Sequence, residues 1–178
     1  KDIFGYKEFR SGQLEIIQAV LDNTHTLAVM PTGSGKSICY QIPALIKGGL
    51  TIVVSPLVAL MEDQVAGLKL IGVEAETINS SKDRNENVAI WSRVVSGKVR
   101  LLYISPERLL AERMIKALEK QPISLIAIDE AHLISRWGPS FRPEYEALTR
   151  IRETFLNVPI VALTATADKS TQDDISKK

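Results

Sequence analysis

Several features that mark special classes of protein are scarce or absent in this sequence. One cysteine, Cys39, among 178 residues excludes an intrachain disulfide and a cysteine-rich zinc site. The formal net charge is only +1, so no overall basic field indicates a nucleic-acid partner, and any such binding must come from a local groove. No apolar run approaches the roughly 18 to 20 residues of a membrane span. We therefore expect a soluble, cytoplasmic protein without a membrane partner.

Enough apolar residues are present to build a sizeable core. They make up 45% of the chain, and the length fits a single domain over residues 1–178. We expect Cys39 to be a small core residue and His25, in a polar turn, to be solvated. The chain starts at Lys1 without an initiator methionine and finishes in a charged stretch, which predicts a fragment of a longer protein. We expect this fragment to be monomeric.

Short apolar runs alternate with longer amphipathic stretches. The predicted strands are residues 27–30, 51–55, 75–78, 101–104, 125–128 and 159–163. Helical spacing lies before and between them, for example over residues 13–21 and 36–46. This alternation predicts an α/β fold with a mostly parallel sheet and helices on both faces. Ligands of such sheets bind beyond the carboxyl ends of the strands, so we expect the site in the loops there.

The segment Met30-Pro-Thr-Gly-Ser-Gly-Lys-Ser37, between a predicted strand and a predicted helix, is typical of a phosphate-binding loop. Glycine at two positions allows backbone conformations that a side chain would forbid. Lysine supplies a charge for the outer phosphates of ATP, and the final serine offers a hydroxyl to Mg²⁺. The standard pattern has glycine where Met30 stands, and the alternative is a glycine-rich turn that binds nothing. The residues predicted to bind the nucleotide here are Thr32, Gly33, Ser34, Gly35, Lys36 and Ser37.

A second segment, Leu125-Ile-Ala-Ile-Asp-Glu-Ala-His132, places acidic residues after a predicted strand. We expect Asp129 to hold Mg²⁺ through water and Glu130 to orient or deprotonate the attacking water. Adjacent residues at a strand end point apart, so one carboxylate can serve the metal while the other faces the nucleophile. His132 is either a sensor of the terminal phosphate or a structural histidine. With Lys36, these residues predict a phosphoryl-transfer site.

With both halves of that site present, the chain resembles the first RecA-like domain of a superfamily 2 helicase, specifically of the RecQ family of DNA helicases. The segment Phe4-Gly-Tyr-Lys-Glu-Phe-Arg-Ser-Gly-Gln13 resembles the opening motif, which holds adenine in that family. The resemblance implies that Tyr6 and Arg10 pack on the base and that Gln13 hydrogen-bonds its edge, since an amide offers a donor and an acceptor. The alternative for Gln13 is a polar position early in a helix. RecQ relatives also carry methionine at the position of Met30.

Two further segments resemble the family's motifs along single-stranded DNA. They are Val53-Val-Ser-Pro-Leu-Val-Ala-Leu-Met-Glu-Asp-Gln64 and Tyr103-Ile-Ser-Pro-Glu-Arg-Leu109. Ser55 and Ser105 each stand after a predicted strand and before a proline, which predicts an N-cap followed by proline at the first helical position. The resemblance implies that these helix N-termini also bind DNA phosphates, and the alternative is capping alone.

The segment from His132 to Tyr145 resembles the aromatic-rich loop of the RecQ family. The resemblance implies that Trp137 and Phe141 stack on bases, with roughly 1 to 3 kcal/mol per base, and that Arg136 and Arg142 face the DNA backbone. Gly and Pro residues interrupt helical periodicity here, which favours an exposed loop over a core position for the rings.

Residues 162–167 resemble the motif that links the ATP state to the grip on DNA. Thr164 and Thr166 are the expected hydroxyl contributors, and His132 is expected to couple with them. The family commonly has Cys, Gln and His-Asp where this sequence has Leu133, Arg136 and Pro139-Ser140.

The resemblance implies the ATP-binding half of an ATP-dependent DNA helicase that unwinds in the 3′–5′ direction and serves DNA repair and recombination. Its cofactors would be ATP and Mg²⁺, and its partners single-stranded and duplex DNA and a second RecA-like domain. It would act at the nucleoid, or in the nucleus of a eukaryote. We expect the fragment alone to bind ATP and, weakly, single-stranded DNA, with little turnover. The alternatives are another superfamily 2 motor such as an RNA helicase, and a non-hydrolysing nucleotide- or DNA-binding module.

Overall fold

A computed structural model of the protein describes residues 3–5, 8–134 and 142–177. Its strands form one sheet with the spatial order β1-β6-β5-β2-β4-β3, and each recorded pairing is parallel. This confirms the predicted α/β fold, and each predicted strand lies within two residues of an observed one. The strands are β1 Thr26–Val29, β2 Leu50–Val54, β3 Ala75–Ile78, β4 Leu101–Ile104, β5 Ile123–Ile128 and β6 Ile160–Thr164.

Helices cover both faces of the sheet. Buried residues of the first three helices share one apolar cluster, while the later helices contribute to the cluster on the opposite face. The helices are α1 Gln13–Leu21, α2 Ile38–Lys47, α3 Val58–Leu70, α4 Arg84–Val95, α5 Pro106–Leu109, α6 Glu112–Leu118, a 3₁₀ helix η1 Ala131–Ile134, α7 Pro143–Glu146, α8 Thr149–Thr154 and α9 Lys169–Lys177.

Burial on two faces explains why the strands are almost continuously apolar. In β2, Ile52 and Val54 belong to one apolar cluster, whereas Val53 between them belongs to the other. Side chains alternate across a strand, so a strand in the middle of a covered sheet favours apolar residues at nearly every position. The two clusters form the core above and below the sheet.

The predicted helix start, with serine at the N-cap and proline at the first helical position, is observed at one of the two Ser-Pro pairs. α5 begins at Pro106 with Ser105 at the N-cap, as predicted, although the Ser105 side chain makes no capping hydrogen bond. The prediction for Ser55 is wrong, because α3 begins at Val58 with Leu57 at the N-cap. The Ser55 N–H donates to the carbonyl oxygen of Ile104 over 3.2 Å, so Ser55 still pairs with the neighbouring strand and the chain turns only after it.

The residues singled out by composition have defined surroundings. Cys39 is fully buried, as predicted, with its sulfur 3.7 Å from that of Met30, and burial raises the pKa of its thiol to about 11. His25 is exposed, but solvation is not its whole role, since its Nδ1 accepts the Ile160 N–H at 3.1 Å. Within the described ranges, no helix has both the length and the apolar character needed to cross a membrane.

Candidate nucleotide and DNA site

Three neighbouring strands bring the predicted nucleotide residues to one edge of the sheet. The phosphate loop follows β1, the acidic segment follows β5, and the threonine segment follows β6, which lies between them. The Met30 N–H donates to the carbonyl oxygen of Thr164 over 2.9 Å, and the Asp129 N–H donates to that of Val54 over 2.9 Å. Parallel pairing therefore places segments far apart in sequence at the same carboxyl edge, where ligands bind in such sheets.

The phosphate loop has the backbone shape that its glycines were expected to allow. Gly33 and Gly35 have φ angles of 78° and 79°, in the left-handed region that side chains disfavour. In the described part of the chain, the N–H groups of these two glycines and of Lys36 and Ser37 donate no hydrogen bond. Successive free N–H groups at the start of a helix form an anion-binding concavity. The loop can therefore hold phosphate.

Met30 does not disturb this loop. Its side chain is 5% exposed and belongs to the same apolar cluster as Cys39 and Ala44 of α2. The methionine thus packs under the loop, between the end of β1 and α2, and contributes to the core. This placement explains why glycine is not needed at the first position of the pattern.

Arg10 and Gln13 contact the phosphate loop directly. Gln13 is 5% exposed, and its Nε2 donates to the carbonyl oxygens of Ser34 and Gly35 at 3.0 and 3.2 Å. Its Oε1 accepts the Arg10 N–H at 2.8 Å, and the Arg10 guanidinium donates to the carbonyl oxygen of Gly33. Sequence reasoning missed this role. In this conformation the predicted contact of Gln13 with adenine requires its amide to exchange partners, and Tyr6 lies outside the described residues.

The acidic pair lies where β5 ends, in an unusual local conformation. Glu130 has a φ of 54°, a left-handed conformation that costs energy for a residue with a side chain. Its N–H donates to Asp129 Oδ1 at 3.0 Å. Burial and the neighbouring charge of Glu130 raise the pKa of Asp129 to about 6, while the Glu130 N–H and Lys36 act in the opposite direction. A bound cation would stabilise the ionised form of this carboxyl.

Asp129 and Ser37 fit a Mg²⁺ ion whose other ligands come from a bound nucleotide, rather than an ion held by protein side chains alone. Within the described ranges, no group of three or more His, Cys, Asp and Glu side chains could hold a metal. Mg²⁺ usually keeps several waters and is bound by one or two carboxylates plus substrate phosphates. Asp129 at the end of β5 and Ser37 at the N-cap of α2 offer this kind of ligand set.

A hydrogen-bonded chain joins the loops after β5 and β6. His132 Nδ1 lies 2.9 Å from Thr164 Oγ1 and 3.3 Å from Glu130 Oε2. The Thr164 hydroxyl, fully buried, donates to the carbonyl oxygen of Thr166 at 3.1 Å and accepts the Thr166 N–H at 3.2 Å. The Thr164 hydroxyl has one proton, so the tautomer of His132 decides whether Nδ1 donates to Thr164 or accepts from it.

These contacts refine the predicted coupling residues. His132 and Thr164 are in contact, whereas Thr166 contributes its backbone groups and its side chain is exposed. The coupling role of the Thr166 hydroxyl stays a prediction. The function of His132 as a phosphate sensor stays a prediction.

The predicted DNA residues differ in accessibility. Ser105 is half-buried and Arg142 exposed, and the Arg142 N–H donates to the carbonyl oxygen of Leu133 in η1 at 3.0 Å. Ser55 is 2% exposed, so its side chain is not presented to a ligand at the surface. The remaining predicted contacts, Arg136, Trp137 and Phe141, lie outside the described residues.

Comparison with known proteins places the chain in a family. The model of the family described as DEAD/DEAH box helicase matches residues 10–175. ATP-dependent DNA helicase RecQ of Haemophilus influenzae is 49% identical over 98% of this chain and 28% of its own length. RecQ of Bacillus subtilis is 46% identical over 98% of this chain and 30% of its own length.

Solved structures agree on the fold. The DUF1998 helicase MrfA bound to DNA and AMPPNP superposes with a TM-score of 0.73 at 17% identity, over 98% of this chain and 26% of that one. This likeness, together with the all-parallel sheet, confirms the predicted RecA-like fold. The chain spans less than a third of the length of the two RecQ relatives. It belongs to the DEAD/DEAH box helicase family, and its sequence similarity within that family is to the RecQ helicases.

Proposed function

We propose that this chain is the ATP-binding domain of an ATP-dependent DNA helicase of the RecQ type. The observation that carries the proposal is the meeting of two segments at one sheet edge. A loop with four free N–H groups and Lys36 lies near Asp129, a carboxylate whose pKa is raised by burial and by the neighbouring Glu130. A nucleoside triphosphate with Mg²⁺ brings negatively charged phosphates to the loop and a cation to Asp129.

Each residue of this edge has a role in phosphoryl transfer. The N–H groups of the loop and the Lys36 ammonium bind the phosphates, and Ser37 with Asp129 holds the metal. Mg²⁺ held by these residues would neutralise the charge that develops on the phosphoryl group. Glu130, within 3.3 Å of His132 Nδ1, orients the attacking water or takes its proton. The His132 to Thr164 hydrogen bond then connects this step to the loop after β6.

DNA and a second domain complete the enzyme in this proposal. Single-stranded DNA lies along the loops after β2 and β4 and along the segment 132–145, and the whole protein unwinds in the 3′–5′ direction for repair and recombination. A second RecA-like domain supplies arginine side chains to the transferring phosphoryl group, which contribute on the order of 10³ to 10⁵ in rate. The 178-residue chain alone therefore binds ATP and hydrolyses it barely.

The test compares ATP hydrolysis by the full-length protein and by this chain with single-stranded DNA or RNA of the same sequence. We expect DNA to stimulate the full-length protein, RNA to stimulate it little, and the isolated chain to bind MgATP with almost no turnover. Stimulation by RNA alone would identify an RNA motor instead. Robust DNA-stimulated turnover by the isolated chain would contradict the need for a second domain.

A further inference from the structure

A cluster of four polar side chains lies inside the otherwise apolar core behind the phosphate loop. Tyr40, Gln41 and Tyr103 are 3%, 5% and 1% exposed, and Gln64 is half-buried. We name these four residues the Tyr-Gln cluster. The surrounding core on this face is built from apolar side chains, such as Met61. Polar groups in such a place require hydrogen-bond partners, because a buried polar group without one pays its desolvation cost uncompensated.

The Tyr103 hydroxyl is the centre of the cluster. It lies 3.3 Å from the Tyr40 hydroxyl and accepts a hydrogen bond from Gln41 Nε2 at 3.4 Å. Gln41 Nε2 also donates to Gln64 Oε1 at 3.1 Å. The two tyrosine rings meet edge to face, with centroids 6.5 Å apart. Each member therefore bonds to at least one other, and the cluster fixes one relative position of its backbone elements.

The elements joined by the cluster carry the predicted nucleotide and DNA sites. Tyr40 and Gln41 lie one turn after Ser37, whose carbonyl oxygen accepts their N–H groups at 3.2 and 3.0 Å. Gln64 lies on α3, which follows the loop after β2, and Tyr103 lies on β4, two residues before Ser105. Within the described ranges, no other side-chain hydrogen bond joins α2 to α3 or β4.

An apolar contact and a hydrogen-bonded contact respond differently when a helix moves. Apolar side chains tolerate small shifts, whereas a buried hydrogen bond either has its partner or loses it, so such networks favour discrete arrangements. A shift of α2 on phosphate binding would change these hydrogen bonds, which join α2 to α3 and β4. Coupling between sites needs a physical connection of this kind.

We propose that the Tyr-Gln cluster is the positioning device that couples nucleotide binding at the phosphate loop to DNA binding at the loops after β2 and β4. This rests on the proposed function. Tyr103 is buried and Gln64 half-buried, and both act through their hydrogen bonds with Gln41 on α2. Removing their bonds breaks the coupling and leaves each separate binding site in place.

The experiment uses the full-length protein with Tyr103→Phe, which removes the bonds with Tyr40 and Gln41, or with Gln64→Met, which removes one bond from Gln41. Both substitutions keep the approximate side-chain shape. The control is Thr51→Val on β2, a fully buried residue of similar environment whose hydroxyl has no hydrogen-bond partner in the described part of the chain. Dissociation constants are measured for MgAMPPNP alone, for an oligothymidylate alone, and for the oligothymidylate with saturating MgAMPPNP. DNA stimulation of ATP hydrolysis is measured in parallel.

We expect both cluster variants to bind each ligand alone within about twofold of wild type. The effect of MgAMPPNP on DNA affinity, and the stimulation of hydrolysis by DNA, should fall about fivefold or more, the lower end of typical couplings. Thr51→Val should match wild type. Unchanged coupling in both cluster variants overturns the inference. A parallel loss of thermal stability and of the affinity for each ligand alone also overturns it, because it would show a purely structural role. A wild-type protein that binds no nucleotide would instead refute the proposed function.

Discussion

Two carboxylates at different places in the sheet, one buried and one half-buried, have opposite electrostatic surroundings. Glu76, on the edge strand β3, is 5% exposed and forms ion pairs with Lys69 of α3 and Arg93 of α4. Asp129, where β5 ends, is half-buried and forms no ion pair in the described part of the chain, and burial raises its pKa to about 6.

The presence or absence of ion-pair partners separates the structural charge of Glu76 from the functional charge of Asp129. Two cations neutralise Glu76, so it links α3 and α4 to the edge strand and leaves no charge for a ligand. Lys36 lowers the pKa of Asp129 without forming an ion pair, so the carboxylate stays available to a metal. A buried charge left uncompensated costs stability, and a protein tolerates this cost where binding or catalysis needs it.

The largest expected effect concerns the carboxylate beside Asp129. Glu130→Gln in the full-length protein should lower kcat for DNA-stimulated ATP hydrolysis by about 10² to 10⁴, because a positioned general base contributes that much. MgATP affinity should change little, since the amide keeps the size of the side chain. Steady-state kinetics with Glu112→Gln as an exposed control measures this. Unchanged turnover in Glu130→Gln would favour a non-hydrolysing clamp.

A second substitution experiment removes the two cations that pair with Glu76 on β3. The double variant Lys69→Met with Arg93→Met leaves Glu76 buried without a partner and should lower the free energy of unfolding by about 3–5 kcal/mol. Urea denaturation measures the loss, and adding Glu76→Gln should restore most of it. Lys116→Met, in an exposed pair with Glu112, should cost less than about 0.5 kcal/mol. A small effect of the double variant would mean that the Glu76 pairs contribute little.

A third substitution removes the carboxylate charge of Asp129, which has no ion-pair partner in the described part of the chain. The pKa of Asp129 rises from 3.8 to about 6 on folding, so the folded state favours the protonated carboxyl and the ionised form destabilises it. Asp129→Asn should therefore stabilise the metal-free protein by about 1–2 kcal/mol at pH 7.5. The gain should be absent near pH 4, grow as the pH rises, and level off above about 6. Thermal unfolding at several pH values in EDTA checks this, and a gain independent of pH would contradict the assignment.

The strands and the phosphate loop were predictable because each depends on local pattern. Continuous apolar runs follow from burial on both faces, and the conformations of Gly33 and Gly35 follow from a loop that must curve around an anion. The meeting of the loop with Asp129 also followed from the rule that ligands collect at the carboxyl edge of parallel strands.

Contacts between distant side chains were not predictable. Nothing local distinguishes Ser55 from Ser105, yet only Ser105 is an N-cap, because Ser55 remains paired to the end of β4. The bonds of Gln13 to the phosphate loop depend on how α1 packs against α2. The Tyr-Gln cluster left a weak signal, two polar residues in the buried part of α2, but its partners lie on other elements.

The central claim is that the phosphate loop binds a nucleotide with Mg²⁺, and calorimetric titration of MgATP into this chain tests it most directly. Wild type should release or absorb heat with one site per chain, and Lys36→Ala should bind about 10- to 150-fold more weakly, the usual loss for a hydrogen bond to a charged group. Circular dichroism should show the same fold for both, because Lys36 is not part of either buried apolar cluster. No heat from any adenine nucleotide at high concentration, or equal affinity in both proteins, would contradict the account.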